Sequence, residues 1–175
     1  MRLLAVLDRV DTAPFTLEAL AGLLNRLGPA QSSILHVVAA RDPDYLSPDE
    51  GMPGAAERER FVHTVSAQTD TLRQIAREWS QAVTPHRDTA WTERVGDTRA
   101  LVAREAAEAD ITVLSRPRAR DNAAVTDAFT GALYDAGAAV LIAPLEDYAT
   151  FGKHPVVAWS PSHSLELAVE AARPI

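Results

Sequence analysis

Short apolar runs alternating with helix-periodic segments constrain this chain more than any other feature of its sequence. Leu3–Asp8 is a compact apolar run closed by a carboxylate, the pattern of a strand buried on both faces. Pro14 suits the first turn of a following helix, where a missing N–H costs nothing. Phe15, Leu17, Leu20, Leu23, Leu24 and Leu27 then recur at helical spacing until Gly28-Pro29 stops them. Ser33–Ala39 reads as a second buried strand. Arg41–Gly54 gathers Pro43, Pro48, Pro53, Gly51 and Gly54, which predicts a loop.

Phe61, Val65, Gln68, Leu72, Ile75 and Trp79 step by three or four, predicting an amphipathic helix over about residues 56–82. Trp91, Glu93 and Val95 alternate with Thr92 and Arg94, a period-two signal for a third strand. Gly96-Asp97-Thr98 turns into a helix carrying Leu101, Val102 and Ala106, with Asp97 or Thr98 as its N-cap. Asp110–Ser115 is a fourth buried strand. Val125, Phe129, Ala132, Leu133 and Ala136 mark a further helix, and Ala138–Ala143 a fifth strand. The resulting β-α-β-α-β-α-β-α-β order predicts a parallel sheet with right-handed crossovers and helices on both faces. A Rossmann half and a flavodoxin-like unit both satisfy that periodicity.

Composition narrows the function classes. The 175 residues carry a net charge of −7, which argues against nucleic acid and anionic membrane surfaces, since phosphate binding needs a basic face. No apolar run approaches the length of a membrane span. Leu3–Leu7 is too short for a signal peptide, and Asp8 ends it without a small-residue cleavage site, so the expected location is the cytoplasm. Zero cysteines exclude disulfides, thiolate metal sites and a cysteine nucleophile.

The last residues repeat the beginning. Pro155-Val156-Val157-Ala158-Trp159-Ser160 can be laid over Leu3–Asp8, and a helix follows each, Thr16–Leu27 in one case and Ser164–Ala172 in the other. The expected division is therefore a complete α/β domain over 1–146, a linker over 147–154, and a partial second unit over 155–175. An unrelated C-terminal strand and helix is the plainer alternative. Either way, Val156, Val157, Trp159, Leu165, Leu167 and Val169 need a surface to cover them.

Taken in order, these segments resemble a universal stress protein, and particularly the first half of tandem bacterial members. The likeness rests on the opening strand ending in Asp8, Ile34-Leu35-His36-Val37-Val38, Val95-Gly96-Asp97, Ala109-Asp110-Ile111-Thr112-Val113-Leu114 and Ala138–Pro144. Val156-Val157-Ala158-Trp159-Ser160 resembles the start of second halves, where the last position is usually Asp or Asn. The resemblance implies a five-stranded parallel sheet of order 3-2-1-4-5, of the adenine-nucleotide alpha-hydrolase-like type. It also implies nucleotide binding in some members, and a homodimer or pseudo-dimer formed through strand 138–143.

With that order, the crevice opens where the strand sequence reverses, between strands one and four. Asp8 and Ser115 then face each other, with Val38 and Ala39 on one wall. In ATP-binding members the acid ending strand one holds the ribose, and a Gly-x-x-Gly loop followed by Gly-Ser cradles the phosphates. Here the loop reads Ser115-Arg116-Pro117-Arg118-Ala119-Arg120-Asp121-Asn122, with no glycine before Gly131, and Thr126-Asp127 falls where Gly-Ser is expected. Left-handed backbone without glycine costs about 1–2 kcal/mol per residue. Asp121 and Asp127 near a helix start compete with phosphate for its positive end. Arg116, Arg118 and Arg120 offer a different anion clamp. No cofactor is expected; ATP or AMP, held by Asp8 and the arginine loop, is the alternative.

No catalytic or metal-binding set emerges. The histidines His36, His63, His86, His154 and His163 include no pair at metal-ligating helical spacing. Ser160, Ser162 and Ser164 lack a nucleophile elbow and are better placed to cap a helix. The expectation is a non-enzymatic stress-response domain, with weak ATP hydrolysis confined to the nucleotide-binding alternative.

Overall fold

A strand covered by helices on both sides must place apolar residues on its odd and even positions alike, and the first strand does so. The computed structural model describes residues 1–39, 54–83, 89–145 and 162–173. In β1 (Arg2–Val6) and the residue after it, Leu3, Ala5 and Leu7 enter one core cluster, while Leu4 and Val6 enter another on the opposite face. The first cluster is closed by α1 (Ala13–Leu27) and α2 (Ala55–Val83), through Leu17, Leu20, Leu23, Leu24, Leu72 and Ala76. The second is closed by α3 (Thr98–Ala106) and α4 (Ala123–Thr130), through Val102, Ala106 and Ala128. Burying a single Leu or Val side chain contributes about 1.5–3 kcal/mol, so both helical layers are needed to complete the fold.

With β2 (Gln31–Ala39), β3 (Thr89–Gly96), β4 (Ile111–Ser115) and β5 (Val140–Ala143), the sheet is five-stranded, parallel in every pairing, and ordered β3-β2-β1-β4-β5. The order departs from the 2-1-3-4-5 of flavodoxin-like units and matches a Rossmann sheet over its first five strands. β3 leads through α3 across β1 to β4, so the connections diverge between β1 and β4. That divergence opens the crevice.

Local chemistry sets the boundaries. Pro14 sits in the first turn of α1, and Gly28 ends that helix at φ 70°, a conformation that favours glycine. Asp97 caps α3, its carboxylate accepting from the Ala100 amide at 2.8 Å. Ser162 caps α5 (His163–Ala172) by accepting from the Leu165 amide at 3.2 Å. The expected strand 155–160, the linker and all but the last residue of the Arg41–Gly54 loop lie outside the described residues.

Two elements differ from the sequence expectation. The ladder of β1 ends at Val6 rather than Asp8; the Leu7 amide still donates to the Leu35 carbonyl at 2.9 Å, and Asp8 lies beyond it. The helix expected over 125–136 begins at Ala123 and gives way at Gly131 to a π turn, Gly131–Asp135, closed by the Ala136 amide on the Gly131 carbonyl at 2.9 Å. The reason is packing. Gly131 lies against the α3 backbone so closely that a Cβ there would stand 2.3 Å from the Arg99 carbonyl oxygen.

His36, on β2, ties three elements together. Its Nδ1 lies 2.8 Å from the Leu7 carbonyl and therefore donates, so in the neutral ring Nε2 accepts from the Thr69 hydroxyl at 3.0 Å. Its ring stacks on Trp91 with centroids 6.0 Å apart. Burial holds this imidazole below its ordinary value of 6.5, against the Leu7 carbonyl and the Glu93 and Asp8 carboxylates, which favour the charged ring.

Two outcomes follow from this packing. Gly131→Ala gains about 1 kcal/mol of helix propensity but forces a backbone clash costing about 1–3 kcal/mol, so denaturant unfolding should show a net loss. A variant at least as stable as wild type would contradict the close approach. The stability that comes from keeping His36 neutral is present in full above pH 6.5. It declines as the pH falls below that value and is spent once the pH passes the lower folded-state pKa. Melting curves between pH 7.5 and 5 should slope downward for wild type and be flatter for His36→Gln. Parallel curves would remove His36 as the cause.

Candidate functional site

The crevice at the carboxyl ends of β1 and β4 is built from strand register. Leu3 pairs with Ile111 and Ala5 with Val113, so both strands deliver their following residues to the same end of the sheet. An open cleft lies beside this crevice, over the carboxyl ends of β1 and β2, and takes none of its lining from β4. Val6 of β1 and the following Leu7 and Asp8 contribute, as do Val37, Val38 and Ala39 of β2. Phe61, Val65 and Gln68 of α2 form another wall, and Thr98, Asn122 and Ala124 come from the starts of α3 and α4. The walls are predominantly apolar.

Asp8, Val38 and Ala39 therefore share one cleft. Ser115 stands behind Asp8, its hydroxyl donating to the carboxylate at 2.9 and 3.1 Å. The three arginines go elsewhere. Arg118 pairs with Asp11 at 2.8 Å and with Asp121 at 3.3 Å. Arg116 and Arg120 are exposed, and among the described residues neither forms an ion pair. The structure thus does not bring Arg116, Arg118 and Arg120 together into a clamp on the cleft.

Arg9 is the residue that sequence reasoning missed. Its side chain is only 11% exposed and lies between the two strand ends. One terminal nitrogen, Nη2, donates to the Ser115 hydroxyl at 2.8 Å and to the Arg116 carbonyl at 3.0 Å; the other, Nη1, donates to Asp121. Its Nε makes no hydrogen bond but lies 3.6 Å from the Asp8 carboxylate, an ion pair without a shared proton. Asp121, whose side chain is 7% exposed, also accepts from the Arg118 amide at 2.7 Å. Nothing in the sequence marks a partner 112 positions away from Arg9. Gln68 did carry a signal, as the one amide in an otherwise apolar helical stripe; its Nε2 donates to the Asp8 carbonyl at 2.8 Å.

The electrostatics follow from these contacts. Burial pushes the Asp8 carboxyl above its ordinary 3.8, opposed by the Ser115 hydroxyl and the Arg9 guanidinium. Burial pushes Asp121 upward too, but the Arg118 amide and Arg9 outweigh it and hold this carboxyl below the usual range. Three carboxylates, Asp8, Asp11 and Asp121, share two guanidinium groups, Arg9 and Arg118. Asp127, expected at a helix start, lies in the second turn of α4 instead, and the first turn contains no acid.

No protein-family model matches the sequence, and no curated protein matches it either. Solved structures do match. The hypothetical protein MJ0577, a test case of structural genomics in which biochemical function was assigned from structure, aligns with a TM-score of 0.55 at 14% identity, covering 81% of this chain and 94% of that one. The universal stress protein UspA from Lactobacillus plantarum aligns with a TM-score of 0.48 at 16% identity, covering 82% of this chain and 97% of that one. The five-stranded parallel sheet of order 3-2-1-4-5, flanked by helices, is the fold that this chain shares with the MJ0577 structure.

Proposed function

We propose that this chain is a universal-stress-protein-like, non-enzymatic regulatory domain of the stress response, with a degenerate nucleotide site. The observation that carries this reading is the Asp121 carboxylate, which takes hydrogen bonds from Arg9 and from the Arg118 amide beside the crevice. A nucleotide's phosphates would meet three carboxylates there, their two neutralising guanidinium groups already engaged. The loop also has no glycine to admit close backbone approach. The competing reading is an ATP- or AMP-binding protein that uses Asp8 and the arginine loop, with slow ATP hydrolysis as its activity. It draws support from the placement of Asp8, Val38 and Ala39 along one cleft. Calorimetric titration with ATP and AMP separates the two. The degenerate reading expects no micromolar binding; micromolar affinity abolished by Asp8→Ala would reverse the choice.

The two outer strands support a particular assembly. β3 carries Glu93 and Arg94, paired with Arg73 and Glu105, the charged edge that discourages strand addition. β5 has no charge, and Ile142 is 44% exposed on it. The proposal is a cytoplasmic protein that pairs through this strand as a homodimer, or as a pseudo-dimer with a second unit that residues 155–175 begin. Among the described residues no helix is long and apolar enough to cross a membrane. Light scattering should report a dimer for wild type, and Ile142→Lys should weaken it at least about tenfold, roughly 1.4 kcal/mol. A wild-type chain monomeric at high micromolar concentration would rule out the homodimer.

A further inference from the structure

The environment of Asp121 is that of a bound anion rather than of an ordinary surface carboxylate. Its Oδ2 accepts from Arg9 Nη1 and, at 2.7 Å, from the backbone amide of Arg118, while Oδ1 accepts from Arg118 Nε at 3.3 Å. Two guanidinium groups and a main-chain N–H converging on two oxygens form the donor set that recognises phosphate-type oxyanions. Nor does Arg9 depend on Asp121 alone for its position. Arg9 is anchored independently by the Ser115 hydroxyl and the Arg116 carbonyl, and the Arg118 amide belongs to the main chain.

We infer that the β4–α4 loop is an oxyanion site filled by the chain's own Asp121 carboxylate, and that removing this carboxylate opens it to phosphate through Arg9 and Arg118. The inference rests on the degenerate-site reading and gives its cause: the donors for an anion are present, and an internal group occupies them. Any phosphorylated ligand of the wild-type chain must displace Asp121. Asp121 is thus a specificity residue that turns phosphorylated ligands away.

Asp121→Ala tests this in the full chain. In chloride buffer the variant should melt below wild type, because Arg9 is left largely buried without its partner. About 10 mM phosphate, or formate as a substitute for the missing carboxylate, should raise its melting temperature by about 4 °C or more at constant ionic strength. The wild-type chain should shift by less than about 1 °C. Asp121→Asn, which keeps the side-chain shape, decides the matter if the alanine variant does not fold, and should also respond to phosphate more than wild type does. Adding Arg9→Met to either variant should abolish the response. Variants whose melting temperature or folding responds to phosphate no more than wild type would overturn the inference. ATP binding by the wild-type chain is a separate result, which would overturn the degenerate-site reading itself.

Discussion

Burial of the sheet on both faces governs where this molecule can place polar chemistry. Leu3, Ala5 and Leu7 face one helical layer and Leu4 and Val6 the other, so past the exposed Arg2 at its start β1 has no position for a charged side chain. β4 is buried at every residue, and its one strongly polar end is Ser115. Charge is therefore displaced to the ends of these two strands. Because β1 and β4 are parallel neighbours, both carboxyl ends emerge at the same place. Asp8, Arg9, Ser115 and Arg116 are brought together by sheet topology before any side chain has chosen a partner.

Once collected, these groups must neutralise one another, since an isolated charge out of water is costly. Arg9 is the hub. It touches Asp8, Ser115, the Arg116 carbonyl and Asp121, and thereby joins the exit of β1 to the loop that leads into α4. The ion pair at the rim, Arg118 with Asp11, is half exposed and contributes about 0–1 kcal/mol. The Arg9–Asp121 pair is nearly covered, and stripping one partner from such a pair costs about 3–5 kcal/mol. The hub therefore matters more for holding the crevice in one shape than the arginine-rich loop around it.

The elements of this fold were legible in the sequence because each leaves a short-range signature: alternating buried runs, helical stripes, Gly28 and Asp97 at helix ends. Asp8 stood out for a similar reason, a carboxylate closing an apolar strand. Arg9 did not, because a residue that meets its partner 112 positions away has no local pattern to betray it. The same limit misplaced Asp127. Its distance from the start of α4 is set by Asn122 at the N-cap position, and the π turn at Gly131, packed against α3, ends the helix through a contact that only the folded chain contains. Reading Arg116, Arg118 and Arg120 as a set assumed that alternate loop residues act together. In the fold Arg118 pairs with carboxylates at the rim, while Arg116 and Arg120 face solvent with no ion partner among the described residues.

The loop's shape and its charge balance turn out to be one structural event. Between Arg118 and Asp121 the chain reverses through a turn in which the Asp121 amide donates to the Arg118 carbonyl at 3.1 Å while the Asp121 carboxylate accepts from the Arg118 amide. Among the described residues no non-glycine position has a positive φ, so the turn is made without left-handed backbone. A glycine-rich loop leaves main-chain amides free for a ligand's phosphates. Here the turn residue itself supplies the anion that the exposed amide and the Arg9 guanidinium require. Giving this loop a phosphate-cradling form would therefore take more than inserting glycines, because Asp121 would have to leave at the same time as a new anion arrived to take its hydrogen bonds.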